Sequence, residues 1–581
     1  MRINAPLGLR TGPLIVAGLM VFAVAATARG QAPEAGPAPD ASQAVVATPE
    51  GKTPGVCFYP GLDRYTRRVT TRSAEAQRWF DQGIQLLYGF NHDEAIRSFE
   101  QASRIDPACA MAWWGAAYAR GMHINNPEMS EDQSRLAYEA AQKALALLDD
   151  ESPVERALVR AVAQRYAMPA PEDRAELDQA YADAMEMAWR KFPDDADVGA
   201  LYAESLMDLQ PWDLWTPQAA PKGRALEVLA VLERTMSKSP NHPGANHFYI
   251  HAIEASPWPE RGTQAAERLA TLAPGSGHLV HMPSHIYIRT GRYADAVTAN
   301  ERALRADEAY LKLAPPPEFY NVYYLHNAHF LAYSAMMEGR YQTAIDAARK
   351  IESQIPASFL KQYVAIADGF MPTTLHVQIR FGKWEDVLAE PEPPSWRLFS
   401  LAEWRCARCV ALAVLGRTEQ AHEELVKFDA VAAQITDEWL MGNNQAADVL
   451  AVARAMAAGE LAFHEGDKER AFELLRQGVV LEESLSYDEP PGWMQPVRHA
   501  LGALLLADAR HAEAEGVYRS DLARHPNNAW ALLGLQQSLG LQGKTAEADA
   551  LAESVRQAWA RADVQPIASC YCHPDALLLH K

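Results

Sequence analysis

The stretch WFDQGIQLLYGFNHDEAIRSFEQASRIDP, from Trp79 to Pro107, decides how the chain is read. Trp79, Gly83 and Leu86 share one helical face, Ala95, Phe99 and Ala102 share another, and Pro107 ends the second helix. Large and small side chains alternate so that the two helices interlock, and the alanines let them approach closely. Thirty-four residues beyond Trp79 stands Trp113, which opens the next helix.

These spacings resemble the tetratricopeptide repeat, a helix-turn-helix unit of about 34 residues. A second unit ends in Ala137, Ala141 and Ala144, a third closes at Phe192-Pro193, a fourth runs from about Ala196 to Pro240, and a fifth ends near Pro274. The sixth carries Gly291, Tyr293, Ala296 and Ala303, and the seventh repeats the pattern at Gly339, Tyr341, Ala344 and Pro356, lengthened by a linker at Pro315-Pro316-Pro317. Further units carry Gly382 and Trp384, Gly416 and Ala421, Gly466 and Ala471, Gly502 and Tyr518, and Gly543 and Ala548. The reading is an all-α solenoid of about twelve helix pairs over residues 73–562, which the resemblance implies is a right-handed superhelix.

Composition agrees with an array. A chain of 581 residues is too long for one compact core, its hydrophobic content is 49%, and strand-like alternation is scarce. The formal charge of -20 argues against a general nucleic-acid binder, which needs a basic face. Arg2 and Arg10 precede an apolar run from Leu14 to Ala26, followed by small residues; this reads as a signal peptide over 1–28 and an exported, periplasmic or secreted protein, with an uncleaved anchor as the alternative. Residues 29–72 form an Ala/Pro-rich tail and N-terminal segment, and 563–581 a Cys-rich tail. Six cysteines follow the leader, at 57, 109, 406, 409, 570 and 572. Export permits disulfides, and the expected one joins the Cys570-Tyr571-Cys572-His573 segment to Cys57, the alternative being half a metal site. Cys406 and Cys409 read as buried thiols on a helix.

Eight of the eighteen histidines fall between Asn241 and Gly339. His247, His251 and Glu254 are spaced four and three apart, His278, His281 and His285 three and four, and His326 and His329 three, so each set lies on one helical stripe. The resemblance implies that the second, fifth and ninth positions of each first helix line the concave surface; His278, His281, His285, His326, His329 and Tyr333 occupy such positions. Counting back from Pro274 places His247, His251 and Glu254 on groove positions as well. Three adjacent helices, about 8–10 Å apart, then point imidazoles into one concavity.

Imidazole suits zinc, copper, iron and nickel, so the metal-ligand candidates are His247, His251, His281, His285, His326 and His329, with Glu254 as ligand or orienting group. His278, His376 and Glu204 are outer candidates. The clustered histidines match neither the His-Glu-x-x-His nor the Glu-x-x-His pattern. The bland alternative is a polar groove wall, with Asn246, Asn327 and Tyr333 as hydrogen-bond partners. Tetratricopeptide arrays most often bind proteins or peptides, so a groove-bound peptide is a second expectation. A third is a metalloenzyme, hydrolase or oxidoreductase, acting on a small anionic substrate: Arg289 and Arg380 follow the histidines by about one turn, Tyr333 adjoins them, and Glu254 or His278 serves as proton carrier. His123 in the 121–127 insertion and the Trp212/Trp215 loop read as structural turns that could also close over the groove.

Overall fold

The computed structural model describes residues 57–149, 151–314, 319–564 and 567–572. The leader, the tail up to 56, the triple-proline linker and His573 lie outside the described residues. Helices follow one another as antiparallel pairs, beginning with Ala74–Tyr88 and His92–Ile105, then Ala110–Ala119 and Glu131–Ala146, and ending with Ala529–Leu541 and Thr545–Ala558. Twelve such pairs can be traced among the described residues, an all-α tetratricopeptide-like array. Its one strand pair there is a short hairpin, Leu440–Met441 with Asn444–Gln445.

The packing shows why the repeat markers recur. The Phe99 ring fits between Gly83 of its own unit and Gly115 of the next: a Cβ at either glycine would stand 2.7 Å or 2.5 Å from that ring. Tyr518 is wedged in the same way between Gly502 and Gly534. One aromatic ring thus locks two successive first helices through positions that tolerate no side chain. The turns after the first helices of units six and seven use Gly291 and Gly339 at φ 72° and 76°, the left-handed conformation that glycine adopts freely.

The array closes on itself. Trp530 Nε1 donates to the Met336 carbonyl at 2.8 Å, the Tyr341 amide donates to Asp563 at 2.6 Å, and Arg561 pairs with Glu338 at 3.0 Å. The last pairs therefore pack against units six and seven. The connection over residues 485–496 buries Glu489, Trp493 and Met494 in the interior. This corrects the expectation of an open groove: the inner face is filled by the chain's own side chains, because the returning units and this connection occupy it.

Both terminal segments differ from the sequence reading. Residues 57–72 dock against the array, with Gln82 and Gln85 donating to the Cys57 and Leu62 carbonyls at 3.0 and 2.7 Å. All six cysteines are unbridged. The expected disulfide is absent because the chain ends dock at different places: Cys57 lies against the first helix, whereas Cys570 and Cys572 are buried beside Arg380 and Glu460.

The N-terminal segment is pinned by Asp197. Its carboxylate takes Arg67 Nη1 at 2.5 Å, Tyr88 Oη at 2.6 Å, Tyr65 Oη at 2.8 Å and His242 Nε2 at 3.1 Å. Burial opposes its ionisation, yet Arg67 and His242 hold the carboxyl well below the usual range. A carboxyl depressed in the folded state stabilises above the ordinary value near 4, and that contribution is lost as pH falls. Replacing Asp197→Ala leaves Arg67 buried with Asp195 alone, and a loss of about 3–5 kcal/mol at pH 7 is expected in denaturant unfolding. The deficit relative to wild type should shrink by pH 3; a deficit that is absent at pH 7 or constant with pH contradicts the assignment.

Candidate metal centre

Five helices build the site: α1 (Pro243–Ile253), α2 (Gly277–His281), α3 (Pro283–Arg289), α4 (Tyr293–Leu311) and α5 (Asn321–Met337). Pro243 occupies the first turn of α1, where no amide is needed, and His242 Nδ1 caps it by accepting from the Ala245 amide at 2.9 Å. Pro283 divides α2 from α3, yet His278, His281 and His285 stay on one inward stripe. His247, His251, His278, His281, His285, His326 and His329 are all buried, with none more than 6% exposed.

The imidazoles gather into two triads. His247, His251 and His278 present ligand atoms all within 4.8 Å of one another, as do His281, His285 and His326, and His251, Glu254 and His285 form a third such group between them. His278 was only an outer candidate by sequence; the structure places it inside the first triad. The Nε2 atoms of His247 and His278 stand 3.1 Å apart, and those of His281 and His285 2.8 Å apart.

The other ring nitrogens explain this arrangement. His247 Nδ1 lies 2.7 Å from the Tyr88 carbonyl, which only accepts, so Nδ1 bears the proton and Nε2 keeps its lone pair. His281 Nδ1 lies 2.6 Å from Asn300 Oδ1, and the Asn300 amide nitrogen donates to the Ala296 carbonyl at 2.9 Å, which fixes the orientation. His251 Nδ1 faces Glu254 Oε1 at 3.1 Å, and its Nε2 is buried with no partner. His285 Nδ1 faces Glu254 Oε2 at 2.6 Å and Glu489 Oε2 at 3.0 Å. Four Nε2 atoms are thus turned inward by acceptors behind them, the outer-shell pattern of metal-bound histidine.

Two ring nitrogens 2.8 Å apart need a proton or a metal cation between them. Burial, with neighbouring imidazoles adding to it, pushes His278 and His326 well below the ordinary value, and it dominates at His247 and His281 despite their hydrogen bonds. Burial acts against charge at His285 too, but Glu254 and Glu489 outweigh it and push it up to about 10. Burial likewise opposes ionisation of Glu254, which His285 and His251 nevertheless hold down to about 2. Without an ion, the proton between His281 and His285 therefore belongs to His285.

Aromatic rings seal the triads. Phe90 lies 4.6 Å from the His247 ring and 5.5 Å from His278, and Phe330 lies 4.9 Å from His281 and 5.0 Å from His285, between ring centroids. Trp212 covers His251 at 5.1 Å while donating to Asn125 Oδ1 at 3.1 Å, so its loop both packs and closes over the site. A cavity of about 20 Å³ adjoins His251 and Glu254, room for one water-sized species. A larger cleft of about 570 Å³ lies on the far side of Glu489, lined by Arg289 and Tyr333 among others.

The remaining candidates lie elsewhere. His329 is buried against Phe370 at 5.3 Å with neither ring nitrogen partnered, outside both triads. His376 packs on Trp493 at 5.0 Å. His123 pairs with His92 at 4.3 Å, parted from the triads by Phe90, on which it stacks at 4.4 Å. Glu204 accepts from Tyr118 Oη. Arg380 contacts His499 Nδ1 at 3.0 Å, the Ser569 carbonyl at 3.2 Å and the Trp530 face at 4.7 Å, so it anchors the C-terminal segment and, unlike Arg289, does not line the cleft. Glu489 and Asn300 escaped the sequence reading. Asn300 sits on an outer helix, and Glu489 is more than 200 residues from His285 in the chain; its one signal was the acidic Asp488-Glu489-Pro490-Pro491 run inside an otherwise helical region.

No protein-family model matches the chain, and no curated protein matches it. Among solved structures, the human IFIT1 dimer with m7Gppp-AAAA aligns at 12% identity and TM-score 0.31 over 84% of this chain and 91% of that one. The Cut9–Hcn1 hetero-tetramer of the APC/C aligns at 13% and 0.30 over 86% and 79%. Likeness this distant adds nothing to the geometry. No helix among the described residues is long and apolar enough to cross a membrane.

In metal-free protein, nitrogen-15 NMR is expected to show one histidine still imidazolium at pH 8, and to lose that signal in Glu254→Gln. An all-neutral set at pH 8 contradicts the assignment to His285.

Proposed function

We propose that the chain is an exported repeat scaffold that holds transition-metal ions in its interior, one in each histidine triad. The observation that carries this reading is the inward convergence of imidazole nitrogens whose opposite nitrogens are occupied by the Tyr88 carbonyl, Asn300 and Glu254. A wall of hydrogen-bonding side chains would pair donors with acceptors. Here imidazole nitrogens meet imidazole nitrogens at 3.1 and 2.8 Å, where an ion takes the place of the proton between each pair. The donor set of neutral imidazoles with one shared carboxylate and no thiol suits copper, zinc or iron, and three protein ligands leave a fourth position open at each ion.

Elemental analysis of untagged protein tests the reading. About two metal ions per chain are expected, falling to about one in His278→Ala and in His326→Ala, each of which removes one ligand from one triad. Metal near background in the wild type, or content unchanged in both variants, overturns it. Asn300→Leu removes only the acceptor behind His281, and competition with a chromophoric chelator should show affinity at that triad about 10–100-fold weaker.

A further inference from the structure

The cleft beyond Glu489 has polar groups that nothing in the chain satisfies. Trp493 Nε1 is buried without a hydrogen-bond partner, and so are the Tyr487 hydroxyl and Arg289 Nε; all three residues line the cleft. Arg289 reaches only the Ser256 carbonyl, at 3.4 Å, and lies over the Tyr487 ring at 5.4 Å. Among the described residues no carboxylate pairs with it within 4 Å. Buried donors of this kind are rare in native proteins unless a ligand or ion completes them. The cleft, about 570 Å³, is in the size range of small-molecule sites, and Tyr293 and Tyr333 add apolar ring surface.

We propose that this cleft binds a small organic carboxylate, whose oxygens accept from Arg289, Tyr487 and Trp493 and whose body lies on Tyr293 and Tyr333. An arginine fork matches a carboxylate bidentately, and both of the other groups can donate to its oxygens. Glu489 forms one wall of the cleft and stands 3.0 Å from His285 Nδ1, so the ligand rests one side chain away from the second triad. Carboxylate binding stands on these donors alone; only a role in turnover rests on the metal reading above.

The test is calorimetric titration of the full protein with acetate, benzoate and succinate, with benzyl alcohol as the uncharged control, before and after metal depletion. At least one carboxylate should bind saturably, and Arg289→Met and Trp493→Phe should each weaken it about tenfold or more while circular dichroism and metal content stay at wild-type values. No saturable binding by any of the three, benzyl alcohol binding as well as benzoate, or affinity unchanged in Arg289→Met overturns the proposal. Arginine-dependent binding by a protein that never holds metal supports the cleft and refutes the metal centre, so the two readings fail separately.

Discussion

Six imidazoles buried side by side, with ring nitrogens turned toward one another, are the constraint on which this structure depends. A buried polar group needs a partner, and two ring nitrogens 2.8 Å apart need a proton or a cation between them. Between His281 and His285 the proton sits on His285, through its contacts with Glu254 and Glu489. In the first triad His247, His251 and His278 are all held neutral by burial.

The helix-pair array is suited to making such a site. Each first helix offers one inward stripe, and rings such as Phe99 and Tyr518, set between glycines of successive helices, fix how the stripes face one another. The return of the last pairs onto units six and seven then excludes solvent from the stripes. Exclusion lowers the local dielectric, which keeps the imidazoles neutral and able to bind metal. Architecture and chemistry are therefore linked: an open solenoid with the same histidines would hydrate them and lose the orienting contact from Glu489.

Much of this was legible in the sequence. The spacing of Trp79, Gly83, Phe99 and Pro107 announces the helix pair, and the four-and-three spacing of His247, His251 and Glu254 announces a shared face. Periodicity reports which face a residue occupies and is silent on what another unit brings to that face. Hence Glu489, Phe90 and Asn300 were missed, His329 was assigned to a cluster it does not join, and Arg380 was grouped with Arg289 although it anchors the C-terminal segment. The disulfide expectation failed for the same reason, since cysteine spacing along the chain says nothing of where the two ends dock.

X-ray absorption spectroscopy of the metal-loaded protein tests the central claim most directly. The account predicts a first shell of nitrogen and oxygen at about 2.0–2.1 Å, with the outer-shell scattering of several imidazole rings and no sulfur. A shell containing sulfur near 2.3 Å would move the metal to the cysteines, and a shell of oxygen alone would place it on the surface. Either result would contradict a histidine-built centre inside the array.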